Sequence, residues 1–223
     1  MSGKRVDARR SRTRNKVLAL GAAGLVLAAG ITVPSLAAWT DIEWVSGAAG
    51  TDAGVVASTF NVQQSTAVNP AWNDYPTEAG ANLIDFSAQA ATLTPGDTVY
   101  GWVQLRTVAD SIGGTLTLQA DTVVTADTLS AALTYGARVM DDTSECTSAA
   151  YATSGTELQP LGTALDVSAG GSFTLDAAPD ATTPGTAKVV CFALTFPASF
   201  AADTTLQGDT VTPVWHFDAV SVS

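Results

Sequence analysis

Thr94-Pro95-Gly96-Asp97-Thr98-Val99-Tyr100-Gly101-Trp102-Val103-Gln104-Leu105-Arg106-Thr107-Val108 carries two signals that decide the fold. Pro95 and Gly96 stand at the two central positions of a four-residue turn, the type II preference, because proline presets φ and glycine accepts a positive φ. Beyond the turn the chain alternates with a period of two. Val99, Gly101, Val103 and Leu105 share one face, and Tyr100, Trp102, Gln104 and Arg106 share the other. That period belongs to a strand with one face in a core.

The same reading extends in both directions. Asn82–Ser87 is a short candidate strand. Gly113-Gly114 breaks the chain, and Thr115–Val124 follows with Leu116 and Leu118 on one face. Leu133–Met140, Ala164–Ser168 and Ser172–Asp176 are further candidates. Lys188–Phe196 is almost wholly apolar, as a central strand buried on both faces would be. Thr212–Val222 closes the series. Asp127–Leu133 offers a helical turn or two and no more. Ser46–Val55 is Gly/Ala-rich and reads as a spacer, and Ser65–Gly80 reads as a long loop whose Trp72 and Tyr75 pack on the body. About eight strands, uneven loops and a single-domain length predict an all-β fold: one jelly-roll-like, two-sheet β-sandwich over residues 56–223.

The N-terminus has a different character. Seven of the ten Lys and Arg residues fall within the first sixteen positions, and Val17–Thr40 carries no charge. A basic start, an apolar run and small residues at Ser35-Leu36-Ala37 form a three-part secretory signal over residues 1–37, with cleavage beside Ala37 or Ala38. The apolar run is long enough to anchor in a bilayer, but Gly21, Gly24, Gly30 and Pro34 interrupt it, so removal is expected and no stable membrane anchor. Arg9-Arg10 hints weakly at twin-arginine export. The ending Ser221-Val222-Ser223 suggests neither a C-terminal anchor nor a sorting tail. Residues 38–223 hold three cations, Arg106, Arg138 and Lys188, against twenty acids, a formal charge of −17. Such a surface repels phosphate backbones and anionic headgroups, so nucleic acid is excluded as a partner.

Catalytic motifs are missing. One histidine, His216, rules out a two-histidine zinc site, and neither a Gly-x-Ser-x-Gly elbow nor an Asp-Thr/Ser-Gly motif occurs. The chain is therefore read as non-enzymatic, with no cofactor. Cys146 and Cys191 are expected to pair in an oxidising compartment, since a catalytic thiol would need His216 as its base. Asp141, Asp142 and Glu145 are weak calcium candidates, because clustered oxygens suit that ion, although the twelve-residue calcium loop is absent.

Around Ala38-Trp39-Thr40-Asp41-Ile42-Glu43 the chain resembles exported proteins matured by a SipW-type signal peptidase: the biofilm fibre protein TasA, camelysin and actinobacterial relatives. Further similar stretches are Ser58-Thr59-Phe60-Asn61-Val62, Leu93–Val99, Gly113-Gly114-Thr115-Leu116, Leu206–Thr210 and Val214-Trp215-His216-Phe217. The resemblance implies a jelly roll, a signal peptidase as partner during export, and a cell-surface or biofilm-matrix subunit. It also implies a homo-oligomer or fibre built by N-terminal strand addition, with residues 38–55 as donor segment and spacer. Trp39, Asp41, Ile42, Trp44 and Val45 are the candidate assembly residues. The same segment could equally fold back on its own domain. The chain departs from the fibre proteins in its disulfide and acidity, and no residue matches the metallopeptidase motif attributed to camelysin. The second functional expectation is a monomeric exported domain that binds carbohydrate or calcium through the Pro70–Pro76 loop or the Asp141–Glu145 cluster.

Overall fold

The computed structural model describes residues 57–222 and, ahead of them, two short strands, β1 (Ala48–Ala49) and β2 (Ala53–Gly54), which pair antiparallel within Ser46–Val55. The chain divides into two units, Met1–Val56 and Ala57–Ser223. The leader, its cleavage residues Ala37 and Ala38, and the assembly residues Trp39, Asp41, Ile42, Trp44 and Val45 lie outside the described residues.

The second unit is an all-β, two-sheet sandwich. One sheet has five strands in the order β3 (Val62–Thr66), β4 (Thr98–Thr107), β9 (Lys188–Thr195), β6 (Thr134–Met140), β7 (Thr156–Ala164). The other has three, β10 (Trp215–Ser221), β5 (Gly114–Ala120) and β8 (Ser172–Leu175). Every pairing between these strands is antiparallel. A jelly roll is one long antiparallel hairpin wrapped into two sheets. Its rungs are present here as β6–β7, β5–β8 and β4–β9. The outermost rung would pair β3 with β10. Instead β3 turns to β4.

The alternation read in β4 holds residue by residue: Val99, Gly101, Val103, Leu105 and Thr107 are buried and their neighbours half-buried. The turn before it closes with Asp97 N–H donating to Thr94 C=O at 2.9 Å, and Gly96 has φ +105°. Strand β9 lies third of five, and six of its eight residues are buried on alternating faces, as its unbroken apolar run requires. Between the sheets Leu116, Leu118, Tyr135, Leu175 and Phe192 are fully enclosed. Tyr135 is tolerated there because its hydroxyl donates to Val167 C=O at 2.5 Å, and burial pushes its pKa up to about 12.

Three expectations require correction. Asn82–Ser87 forms no strand. It crosses the body next to β4, so that a side chain at Gly101 would meet Ile84 and the Asp85 carbonyl at 2.6 and 2.7 Å. Ala164–Ser168 is mostly a turn, with Val167 N–H bonded to Ala164 C=O, and the strand lies earlier, at β7. Pro160 and Gly162 disguise β7, yet an edge strand tolerates them because its outward N–H groups need no ladder partner. The resemblance implies a Phe-containing strand at Ser58–Val62, but the strand is displaced to Val62–Thr66, leaving Thr59 in a single bridge to Ser111. The helical turn predicted over Asp127–Leu133 is α1 (Leu129–Ala132). We expect Gly101→Ala to lower the unfolding free energy by about 1–3 kcal/mol in chemical denaturation, because the clash includes backbone that cannot swing aside. A change under half a kcal/mol would show that the Ile84–Asp85 crossing is loosely held.

Candidate functional site

The missing outer rung leaves β10 with a partner on one side only among the described residues. The Asp121 N–H to Val214 C=O bond and the Val222 N–H to Gly113 C=O bond fix the register. Antiparallel alternation then turns the even-numbered residues of β10 toward β5 and leaves the N–H and C=O groups of Trp215, Phe217, Ala219 and Ser221 facing outward. Toward its end the strand also loses cover: Ala219 and Ser221 are exposed, as are Val220 at 68 % and Val222 at 48 %. An exposed edge of this kind is a template for another strand. The first half of β10 is anchored instead. Trp215 lies 4.7 Å from Phe192 and 5.4 Å from Tyr135 between ring centroids, and Phe217 meets Phe173 edge-on at 6.0 Å.

The chain enters this unit near the same edge. Ile112 N–H donates to Thr59 C=O, and Val108 N–H to Asn61 C=O. The Phe60 ring covers Gly114, where a side chain would clash with it and meet the Val220 carbonyl at 2.9 Å. Gly114 is the residue paired with Ser221 at the end of β10. Phe60 therefore packs beside the end of β10. No local sequence pattern announces this, because Phe60 and Gly114 lie 54 residues apart.

His216 sits on the outer face of β10, half exposed. Its Nδ1 bonds to the Asp121 carboxylate, and its Nε2 lies 3.3 Å from the Asp218 carboxylate. Gln119 is its cross-strand neighbour on β5. With both ring nitrogens turned to carboxylates, neither is directed at a hydroxyl or thiol. The hydrogen bond to Asp121 is the main force raising the imidazole pKa, opposed by partial burial and assisted by the charges of both aspartates. The folded state thus holds the proton more tightly than the unfolded chain does. The stabilisation is complete below the ordinary histidine range and is lost as pH rises through the raised folded value. Solvent screening keeps it under about 1 kcal/mol. We expect the Tm of the wild type to fall relative to His216→Gln between pH 6 and pH 9, and parallel Tm–pH curves for the two proteins would refute that linkage.

The remaining sequence candidates are spread over the other sheet. Cys146 and Cys191 form a disulfide with Cα atoms 5.4 Å apart, joining the segment after β6 to the outer face of β9. Asp142 caps the turn Thr143–Glu145 by accepting from Ser144 N–H at 2.7 Å, which lowers its pKa, and Glu145 accepts from Asp141 N–H at 3.3 Å. These carboxylates hold their own loop rather than converging. Among the described residues no three His, Cys, Asp or Glu side chains are grouped to hold a metal ion. In the Pro70–Pro76 loop, Asn73 makes paired backbone bonds to Gln64, at 2.9 and 3.2 Å, and Trp72 lies under the Arg106 guanidinium. A cleft of about 490 Å³ that no motif foretold opens between Leu93, Phe196, Phe200 and Leu206. Among the described residues no helix is long and apolar enough to cross a membrane. No known family model matches the chain, and no curated protein matches it either.

Proposed function

We propose that the protein is a secreted, non-catalytic subunit of a cell-surface or extracellular-matrix assembly, joined to its neighbour by addition of the N-terminal segment to a sheet edge. The observation that carries this reading is the edge of β10, which among the described residues has no partner where a jelly roll would place its outermost strand. Strand addition supplies affinity through backbone hydrogen bonds and register through alternate side chains. Residues 38–45 number eight, enough to lie along the seven residues of β10. In an added strand Ile42 and Trp44 would share one face, suited to the exposed inner side at Ala219 and Ser221. With the β1–β2 hairpin opened, residues 46–56 would reach at most about 40 Å, more than the roughly 24 Å that β10 spans. The disulfide supports an oxidising, extracellular setting.

Gel filtration and negative-stain imaging of residues 38–223 against 57–223, at low and high salt, test the reading. Oligomers or filaments are expected from the longer form alone. They should grow with salt, because screening weakens repulsion between strongly acidic subunits. Monomers of both forms in every condition would sink it. A monomeric longer form that melts well above the shorter one would show that the segment completes its own sheet.

A further inference from the structure

The outward face of the five-stranded sheet divides into two halves. Over one half the segment after β6 is pinned by the disulfide, and its Tyr151 is buried with Met140, Val189, Cys191 and Ala193, with Tyr100 and Trp102 at the margin. The other half, on β3 and β4, ends in a different set of groups. Arg106 stacks on Trp72 with its guanidinium carbon 4.0 Å from the ring centroid. Ser65, across from Gln104 on β3, is buried. Gln63 is the direct cross-strand partner of Arg106, and Gln104 stands two residues before it on the same face, both half-buried.

Arg106 is unusual in this molecule. Residues 57–222 hold seventeen acids and three cations. The ion pairs among the described residues belong to Arg138 and His216, and none uses Arg106. Its Nε is buried without a hydrogen-bond partner, and burial pulls its pKa down, as for a cation held without a counter-ion. Lys188, by contrast, pairs across from Leu105 and so faces the other side of the sheet. The Trp72 ring holds the guanidinium carbon close, and the terminal N–H groups form a fork, the geometry that matches a carboxylate in two parallel hydrogen bonds.

We propose that this face, centred on Arg106 and Trp72 and flanked by Gln63 and Gln104, binds the carboxylate of an acidic sugar within a glycan of sparse charge. One fork suits one carboxylate. The surrounding excess of acids repels densely charged polymers, nucleic acid among them. Primary amides donate and accept at once, as sugar hydroxyls do, and an indole offers an amphipathic platform. A peptide would instead take a sheet edge, where its backbone bonds are met, and this site is a sheet face. The proposal does not depend on the assembly reading, because β10 belongs to the other sheet.

Isothermal titration of the full-length protein with a hyaluronan tetrasaccharide, at about 0.15 M salt where charge repulsion is screened beyond roughly 8 Å, tests the site. Chitotetraose serves as the neutral comparison. Measurable binding of the acidic tetrasaccharide is expected, weakened at least tenfold by Arg106→Gln and at least tenfold weaker for chitotetraose. Arg106→Lys keeps charge and stem but loses the fork, so it should bind as weakly as Arg106→Gln. It also replaces that variant if the latter's melting curve shows a folding defect. No binding by the wild type, binding unchanged by both substitutions, or equal binding of chitotetraose would overturn the proposal. Equal, Arg106-dependent binding of a tetraglutamate peptide would overturn the sugar assignment.

Discussion

Removing the Cys146–Cys191 bridge with the double substitution Cys146→Ala/Cys191→Ala is expected to lower the unfolding free energy by about 4 kcal/mol. The bridge closes a loop with a sequence separation of 45 residues, and in the chain-entropy model a loop of that length restrains the unfolded ensemble by about that amount. The loop contains β7 and β8, so the bridge ties the end of β6 to the middle of its sheet partner β9 across a long excursion. Alanine is the appropriate replacement because Cys191 is fully buried, and serine would strand a hydroxyl there. Secondary contacts limit the damage. Arg138 donates to Ser154 C=O at 2.9 Å and to Gly155 C=O at 3.0 Å, and the Tyr151 ring of α2 (Ser148–Tyr151) packs 5.5 Å from that of Tyr100. For a domain of this size the change corresponds to a fall in Tm of about 8–16 °C. A loss under 1 kcal/mol in denaturant titration would show that the unfolded chain is already restrained by other means.

The second large effect concerns assembly. Ala219→Pro is expected to abolish oligomers of residues 38–223 while leaving the fold nearly as stable as the wild type. The Ala219 N–H points away from β5, so proline there removes a donor only from the open edge, the one place in a sheet where proline is tolerated. Val220→Pro is the control. Its N–H faces β5, and losing that bond is expected to cost about 1–3 kcal/mol of stability. Gel filtration and thermal melting of the two variants separate edge chemistry from general weakening. Oligomers that persist in a folded Ala219→Pro protein would place the contact somewhere other than β10.

The local order of the sandwich is written plainly in the chain. Period-two alternation in β4 and the Pro95-Gly96 turn fix a strand and its start. The apolar run of β9 announces a strand covered on both faces. These are nearest-neighbour effects of side-chain direction and backbone sterics, so residues adjacent in sequence suffice to read them. The pairing of Cys146 with Cys191 was equally accessible, because two cysteines allow one bridge.

Tertiary structure decided everything that depends on partners distant in sequence. Strand β7 escaped notice because Pro160 and Gly162 break its pattern, and their tolerance comes from an edge position that only the assembled sheet assigns. Asn82–Ser87 has a strand's composition but crosses another strand at Gly101 instead of pairing. Asp142 and Glu145 form an acidic cluster in sequence, yet their oxygens are spent on the backbone of their own turn. The open edge of β10, the Asp121 carboxylate beside His216, and the Arg106–Trp72 stack arise from contacts across 34 to 95 residues or from a strand that is not where the roll would place it. Alternation tells a residue which face it occupies; only the order of the strands tells it what stands on the other side.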